Sequence, residues 1–171
     1  MVRKNLVAAT LTVLASLCLP VAAQAQKLVF VVRHAERADS GAAQMQMQTD
    51  PGLSAEGEAR AAKLASMLAD AGIKAIYATE FRRTRDTANP LATKLGLQIR
   101  TVPSRDTGAL VADIRSRHAN DIVLVVGHSN TVPDIIKAFC GANVTVADHE
   151  YDNLFIVVPA TGMMTKIRFT P

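Results

Sequence analysis

Aromatic residues are scarce in this chain: Trp is absent, and Phe and Tyr together supply only 4% of its 171 residues. So few rings cannot form the stacking platform that single-stranded nucleic acid needs. Lys and Arg form no run either. The formal charge of +4 therefore does not read as a nucleic-acid footprint. Cysteine is limited to Cys18 and Cys140. With Cys18 in the N-terminal segment, the folded part holds one thiol. It can build neither an internal disulfide nor a Cys-rich zinc site. No segment after residue 19 is apolar enough to span a bilayer.

The N-terminal segment is what remains apolar and uncharged, over residues 6–19. Arg3 and Lys4 precede it, and Ala23-Gln24-Ala25 follows with small residues at alternate positions. That order is the pattern of a secretory signal peptide. The expectation is cleavage after Ala25. A single domain over residues 26–171 would then sit in the periplasm or outside the cell, with no stable membrane insertion. Loss of Arg3 and Lys4 also removes part of the positive charge.

Beyond the leader, strand and helix patterns alternate. Residues 28–32 are continuously apolar, which fits a strand buried on both faces. Ser54 stands where a helix N-cap belongs, with Glu56 and Glu58 in the first turn. Further strands are expected over residues 73–78, 97–102, 121–126, 153–158 and 163–169. Helices are expected over residues 54–70, 80–95 (capped by Thr79), 107–118 and 131–140. This order predicts an α/β fold: a three-layer sandwich with a mostly parallel central sheet flanked by helices and a mixed edge. Residues 38–52 form a long loop closed by Asp50-Pro51-Gly52. Cys140 is expected to be buried beside Phe139. His118 and His149 are expected at the surface.

The chemistry concentrates at three strand ends. Arg33-His34-Ala35-Glu36-Arg37 follows the first strand. Thr79-Glu80-Phe81-Arg82-Arg83-Thr84-Arg85-Asp86-Thr87-Ala88 follows the second, and Gly127-His128 follows the fourth. In a parallel sheet all three fall at the carboxyl edge, where ligands bind. Two imidazoles and at least three guanidiniums would then share one cleft, and such a cluster calls for an anion. Guanidiniums match phosphate geometry, and an unprotonated imidazole is a nucleophile or base. Arg82 and Arg85 read as solvated helix residues. His34-Ala35-Glu36 matches half of a zinc deaminase signature, but Pro-Cys-x-x-Cys is missing, and the spacing of a His-Glu-x-x-His site is absent too. No metal and no cofactor is expected.

The ordered set resembles the histidine phosphatase superfamily, also called phosphoglycerate mutase-like. It comprises Arg33-His34, Arg37, Arg83 with Thr87-Ala88, His128, and the segment Asp50-Pro51-Gly52-Leu53-Ser54-Ala55-Glu56-Gly57. The resemblance implies His34 as the nucleophile that becomes phosphohistidine. It implies Arg33, Arg83 and His128 as ligands of the phosphoryl oxygens, with Arg37 as a further clamp. It thus implies an exported, metal-independent phosphomonoesterase acting on a phosphorylated small molecule or envelope component. Ala35 stands where Gly is commoner in the family. Ser129-Asn130 after His128 places the chain closer to the mutase-like branch than to the acid phosphatases.

The acid that would protonate the leaving oxygen is not obvious. Asp106 ranks first by its position between Arg83 and His128, ahead of Glu36, Glu80 and Glu150. This gap sustains an alternative: a catalytically silent module that binds phosphate or a polyanion in the same cleft. A mutase is disfavoured, because exported compartments lack a bisphosphate pool. Substrate identity and oligomeric state are not encoded in these motifs.

Overall fold

The computed structural model describes residues 27–39 and 50–171. The expected leader over residues 1–25 and most of the loop over residues 38–52 lie outside the described residues. Along the chain the elements are β1 (Leu28–Arg33), α1 (Ala55–Leu68), β2 (Ile73–Thr79), α2 (Arg82–Leu95), β3 (Ile99–Val102) and α3 (Thr107–Arg117), then β4 (Ile122–Gly127), α4 (Thr131–Cys140), β5 (Asn153–Val158) and β6 (Met163–Arg168).

The strands form one sheet in the order β3-β2-β4-β1-β5-β6. β1 pairs parallel with β4, β4 with β2, and β2 with β3. β5 runs antiparallel to β1, and β6 antiparallel to β5. The expected mostly parallel sheet with a mixed edge is therefore present. Its two faces explain the unbroken apolar run of β1. Val29 and Val31 join a core cluster with Leu110 and Ile114 of α3 and Ile135 and Phe139 of α4. Phe30 and Val32 join a second cluster with Leu64 of α1 and Leu91 of α2. A strand covered on both faces has no polar side to alternate.

Two expectations are corrected. Thr79 does not cap a helix. It is the last residue of β2, and α2 starts at Arg82 behind Phe81, which makes no side-chain cap bond. The Thr79 hydroxyl is committed instead to Thr84 Oγ1 and His128 Nε2, both at 2.9 Å. His118 is buried rather than on the surface. Its ring lies 5.9 Å from that of Tyr77, and Nδ1 is 2.9 Å from Asp121. The turn after α3 folds this side chain back against the sheet. Cys140 is half-buried, with its thiol donating to Ile136 O. No helix among the described residues is long and apolar enough to cross a membrane.

The turn after β1 is held from three sides. His34 N donates to Gly127 O at 2.9 Å, so the turn is tied to β4. Ala35 N donates to Thr87 Oγ1 at 2.9 Å, so it is tied to α2. Ser54 N donates to Glu36 O at 2.9 Å, which ties it to the start of α1. Below it lies a buried ion pair: Arg60 Nε is 2.9 Å from both Glu36 carboxylate oxygens, and Arg60 Nη1 donates to Phe169 O. Both partners of such a pair are needed, because a lone buried charge is costly.

Gly57 shows how tightly this turn is clamped. A Cβ there would stand 2.3 Å from Glu36 O. Gly57→Ala must therefore push α1 away from the turn. It is expected to cost about 1–3 kcal/mol of stability, read as a lowered midpoint in urea denaturation with an unchanged slope.

Candidate functional site

Arg33 ends β1, Thr79 ends β2 and Gly127 ends β4, so the three motifs do meet at one edge of the sheet. A cleft of about 570 Å³ opens there, lined by Arg33, His34, Arg37, Phe81, Arg83, His128, Asp148 and Tyr151 among others. Ser104 and Arg105, just after β3, contribute to its wall.

His34 is 4% exposed. Its Nδ1 lies 2.8 Å from Ala35 O. A carbonyl only accepts, so Nδ1 carries the proton and Nε2 keeps its lone pair. Burial, then the nearby His128, Arg83 and Arg33 charges, push the His34 pKa down to about 3, against a backbone bond to Ala35 that raises it. The imidazole is neutral and nucleophilic across the ordinary pH range.

His128 follows β4, and its ring centroid is 5.3 Å from that of His34. Its backbone N donates to Thr131 Oγ1 at 2.9 Å. Gly127 makes room for that bond, since a Cβ there would meet the same Oγ1 at 2.8 Å. Burial and the Arg83 guanidinium bring the His128 pKa down to about 4.

Each of the two inner arginines lies on an aromatic ring. The Arg33 guanidinium is 4.0 Å from the centre of the Tyr151 ring, and that of Arg83 is 4.3 Å from the centre of Phe81. Arg33 Nη1 also donates to Ala147 O, Asp148 O and Glu150 O at 2.8–3.2 Å. Stacking and these carbonyls fix the plane of the fork before any anion arrives. Arg83 Nη1 lies 3.9 Å from Asp50. Arg37 lines the cleft at its rim, paired with Asp39 at 2.8 Å. Arg33, His34, Arg37, Arg83 and His128 are thus brought together as the sequence suggested.

Asp106 is not among them. Its carboxylate accepts from Ala109 N at 2.8 Å and caps α3, and the residue does not line the cleft. The physical reason is local: an Asp one residue ahead of a helix satisfies the free N–H groups of the first turn. The other acids named from sequence are engaged as well. Glu36 holds Arg60, Glu80 accepts from Ser104 N and Oγ, and Glu150 accepts from Ala147 N and Arg168. Among the described residues lining the cleft, Asp148 is the one acid, and it is exposed at the mouth.

Sequence reasoning missed Tyr151, Phe81 and Asp148. Phe81 lies within the segment Thr79–Ala88 that the sequence singled out. Tyr151 and Asp148 come from the stretch between α4 and β5, which carries no periodic pattern. Among the described residues, no group of three or more His, Cys, Asp or Glu side chains is placed to hold a metal ion.

Comparison with known proteins agrees with this geometry. Residues 29–105 match the profile of the histidine phosphatase superfamily (branch 1). A curated relative from Yersinia enterocolitica, named probable phosphoglycerate mutase GpmB, is 37% identical over 75 residues, which make up 44% of this chain. The match spans about a third (35%) of that relative's length. SixA from Agrobacterium tumefaciens superposes with a TM-score of 0.62 at 19% identity, covering 85% of this chain and 99% of that one. The protein histidine phosphatase SixA complexed with tungstate gives a TM-score of 0.62 at 18% identity, covering 82% and 94% of the two chains. These structures share the α/β fold described above. By its motifs, by the match over residues 29–105 and by its fold, this chain is similar to the histidine phosphatase superfamily.

Proposed function

We propose that this protein is an exported, metal-independent phosphomonoesterase that works through a phosphohistidine on His34. The observation that carries this reading is the neutral His34 ring, its Nδ1 held by Ala35 O and its Nε2 left free, set among Arg33, Arg83 and His128. Residues 1–25 support export by their composition alone.

In the first step Nε2 of His34 attacks phosphorus in line, the N–P bond forms and the P–O bond to the leaving group breaks. Arg33, Arg83 and His128 neutralise the phosphoryl oxygens, and Arg37 strengthens the field at the rim. In the second step water attacks phosphorus, the N–P bond breaks, and phosphate and neutral His34 are returned. Phosphoryl transfer of this kind needs positioning and charge neutralisation, which the cation cluster supplies. Protonation of the leaving group is the weak part, since the one acid among the described residues lining the cleft is the exposed Asp148. The reading therefore favours substrates whose leaving group departs with little help from an acid. A phosphorylated small molecule or envelope component with such a group fits the open, cationic cleft.

The same lack of a held acid favours a second reading, a phosphate-binding module without turnover. Hydrolysis of a series of aryl phosphates in excess chelator separates the two. The phosphatase reading expects turnover that falls steeply as the leaving phenol becomes more basic. It expects loss in His34→Ala, and a fall of about 10²–10³ in kcat for Arg33→Ala or His128→Ala. A folded protein that binds phosphate but turns over none of the series is the binding module.

The two buried imidazoles also set a pH dependence. The His34 and His128 pKa values lie at about 3 and about 4, below the usual 6.5. Between those values the unfolded chain binds more protons than the folded one. Stability is thus fully present above pH 6.5 and is lost as pH falls toward 4 and 3. Urea denaturation is expected to show this loss in phosphate-free buffer. A smaller loss is expected with saturating phosphate, whose charge raises both values.

A further inference from the structure

His128 touches two kinds of partner with its two ring nitrogens. Nδ1 faces Arg83 Nη2 at 3.4 Å, and Nε2 lies 2.9 Å from Thr79 Oγ1. A guanidinium has only protons to give. Nδ1 must therefore present its lone pair, and the ring proton sits on Nε2, which donates to Thr79 Oγ1. The Thr79 hydroxyl is then free to donate onward, and Thr84 Oγ1 lies 2.9 Å away. The Thr84 hydroxyl donates in turn to Phe81 O at 2.7 Å, with Thr79 O as a weaker acceptor at 3.1 Å. A backbone carbonyl ends the chain because it can only accept. Each hydroxyl donates once and accepts once, so the direction is fixed throughout.

We propose that Thr79 and Thr84 are positioning residues whose one-way hydrogen-bond chain pins His128 as its Nε2–H tautomer and reserves Nδ1 for the phosphoryl group. The idea rests on the phosphatase reading for its consequence, though not for its geometry. Thr84, Thr79 and His128 are 0%, 5% and 7% exposed, so water does not compete for these bonds. The charged and titratable groups facing His128 are Arg33 at the end of β1, the neutral His34 just after it, Arg83 on α2, and Glu80 after β2. Burial, then Arg83 and Arg33, disfavours a second proton on the ring, while Glu80 opposes them.

A phosphoryl group changes that balance. A dianion facing the Nδ1 lone pair is repelled until a proton lies between them. A monoester monoanion can bring that proton itself, and its second pKa is about 6. Once on Nδ1, the proton gives a charge-assisted bond from His128 to a phosphoryl oxygen. With Nε2 already protonated and tied to Thr79, the proton has one place to go. The chain also ends on Phe81, the residue whose ring carries the Arg83 guanidinium. The orientation of His128 and the position of Arg83 are therefore set by the same few bonds.

The test uses Thr79→Val, which keeps the shape but loses the hydroxyl, with Thr79→Ser and Thr84→Val beside it. Nitrogen-15 NMR of the histidine rings in the phosphate-free protein reads the tautomer directly, without turnover. In the parent protein and Thr79→Ser, His128 is expected as Nε2–H. In Thr79→Val and Thr84→Val its two nitrogens are expected to move toward an averaged tautomer. In the same variants, kcat on an aryl phosphate should fall about ten- to a hundredfold, as for a buried donor left unpaired. Thr79→Ser should stay near the parent. The chain is overturned if Thr79→Val keeps the Nε2–H signature, if the parent protein lacks it, or if Thr79→Ser loses as much activity as Thr79→Val. A parent protein with the pinned tautomer and no turnover instead defeats the phosphatase reading and leaves the chain standing.

Discussion

The electrostatics of the carboxyl edge of the sheet constrain everything else in this molecule. Two imidazoles with centroids 5.3 Å apart share a cleft with the Arg33 and Arg83 guanidiniums, and among the described residues lining it the one carboxylate is Asp148 at the mouth. Such like-charged groups repel one another. The fold tolerates it by keeping both rings neutral through burial and neighbouring charge, and by seating the arginines on Tyr151 and Phe81. The three strand ends that carry the motifs are fixed by parallel pairing of β1, β4 and β2, with residues of α1 and α2 covering one face of the sheet and residues of α3 and α4 the other. The buried Glu36–Arg60 pair and the close seat of Gly57 then hold the turn that carries His34.

The elements legible in the sequence were those whose cause is local. The apolar run of β1 followed by Arg33-His34 announced both a buried strand and a site. Ser54 announced the start of α1, and its hydroxyl does accept from Gly57 N. Gly127-His128 after another apolar run announced the second imidazole. Where the reading failed, a side chain had two possible employers. Thr79 had the composition of a cap, yet tertiary structure drew its hydroxyl to His128. Asp106 lay in the right interval for an acid, yet the helix beginning at Thr107 claimed its carboxylate. That second outcome had a visible signal, since Asp directly ahead of a helical segment is a favoured cap. Tyr151 had none. Its place beneath Arg33 depends on how the stretch after α4 returns to the sheet.

Among the described residues lining the cleft the one acid is the exposed Asp148, and this gives the proposed chemistry its character. Charge neutralisation is abundant, and proton donation to the leaving group is poor. The proteins that this chain resembles include one named as a mutase and one named as a phosphatase, so the likeness alone does not choose the reaction. In the proposed reading the choice rests on what the cleft can stabilise, a transferring phosphoryl group more than a departing alkoxide. The proposed hydrogen-bond chain from His128 through Thr79 to Thr84 extends the same logic, since it commits buried hydroxyls to where a proton sits.

The central claim is that Nε2 of His34 accepts the phosphoryl group. Rapid mixing with an excess of activated aryl phosphate, an alkaline quench, and phosphorus NMR with mass mapping of the labelled peptide address it directly. The account predicts a phosphohistidine at His34, attached through Nε2, formed in a burst and absent from His34→Ala. Turnover with no label at any residue, or a label on another side chain, would contradict it.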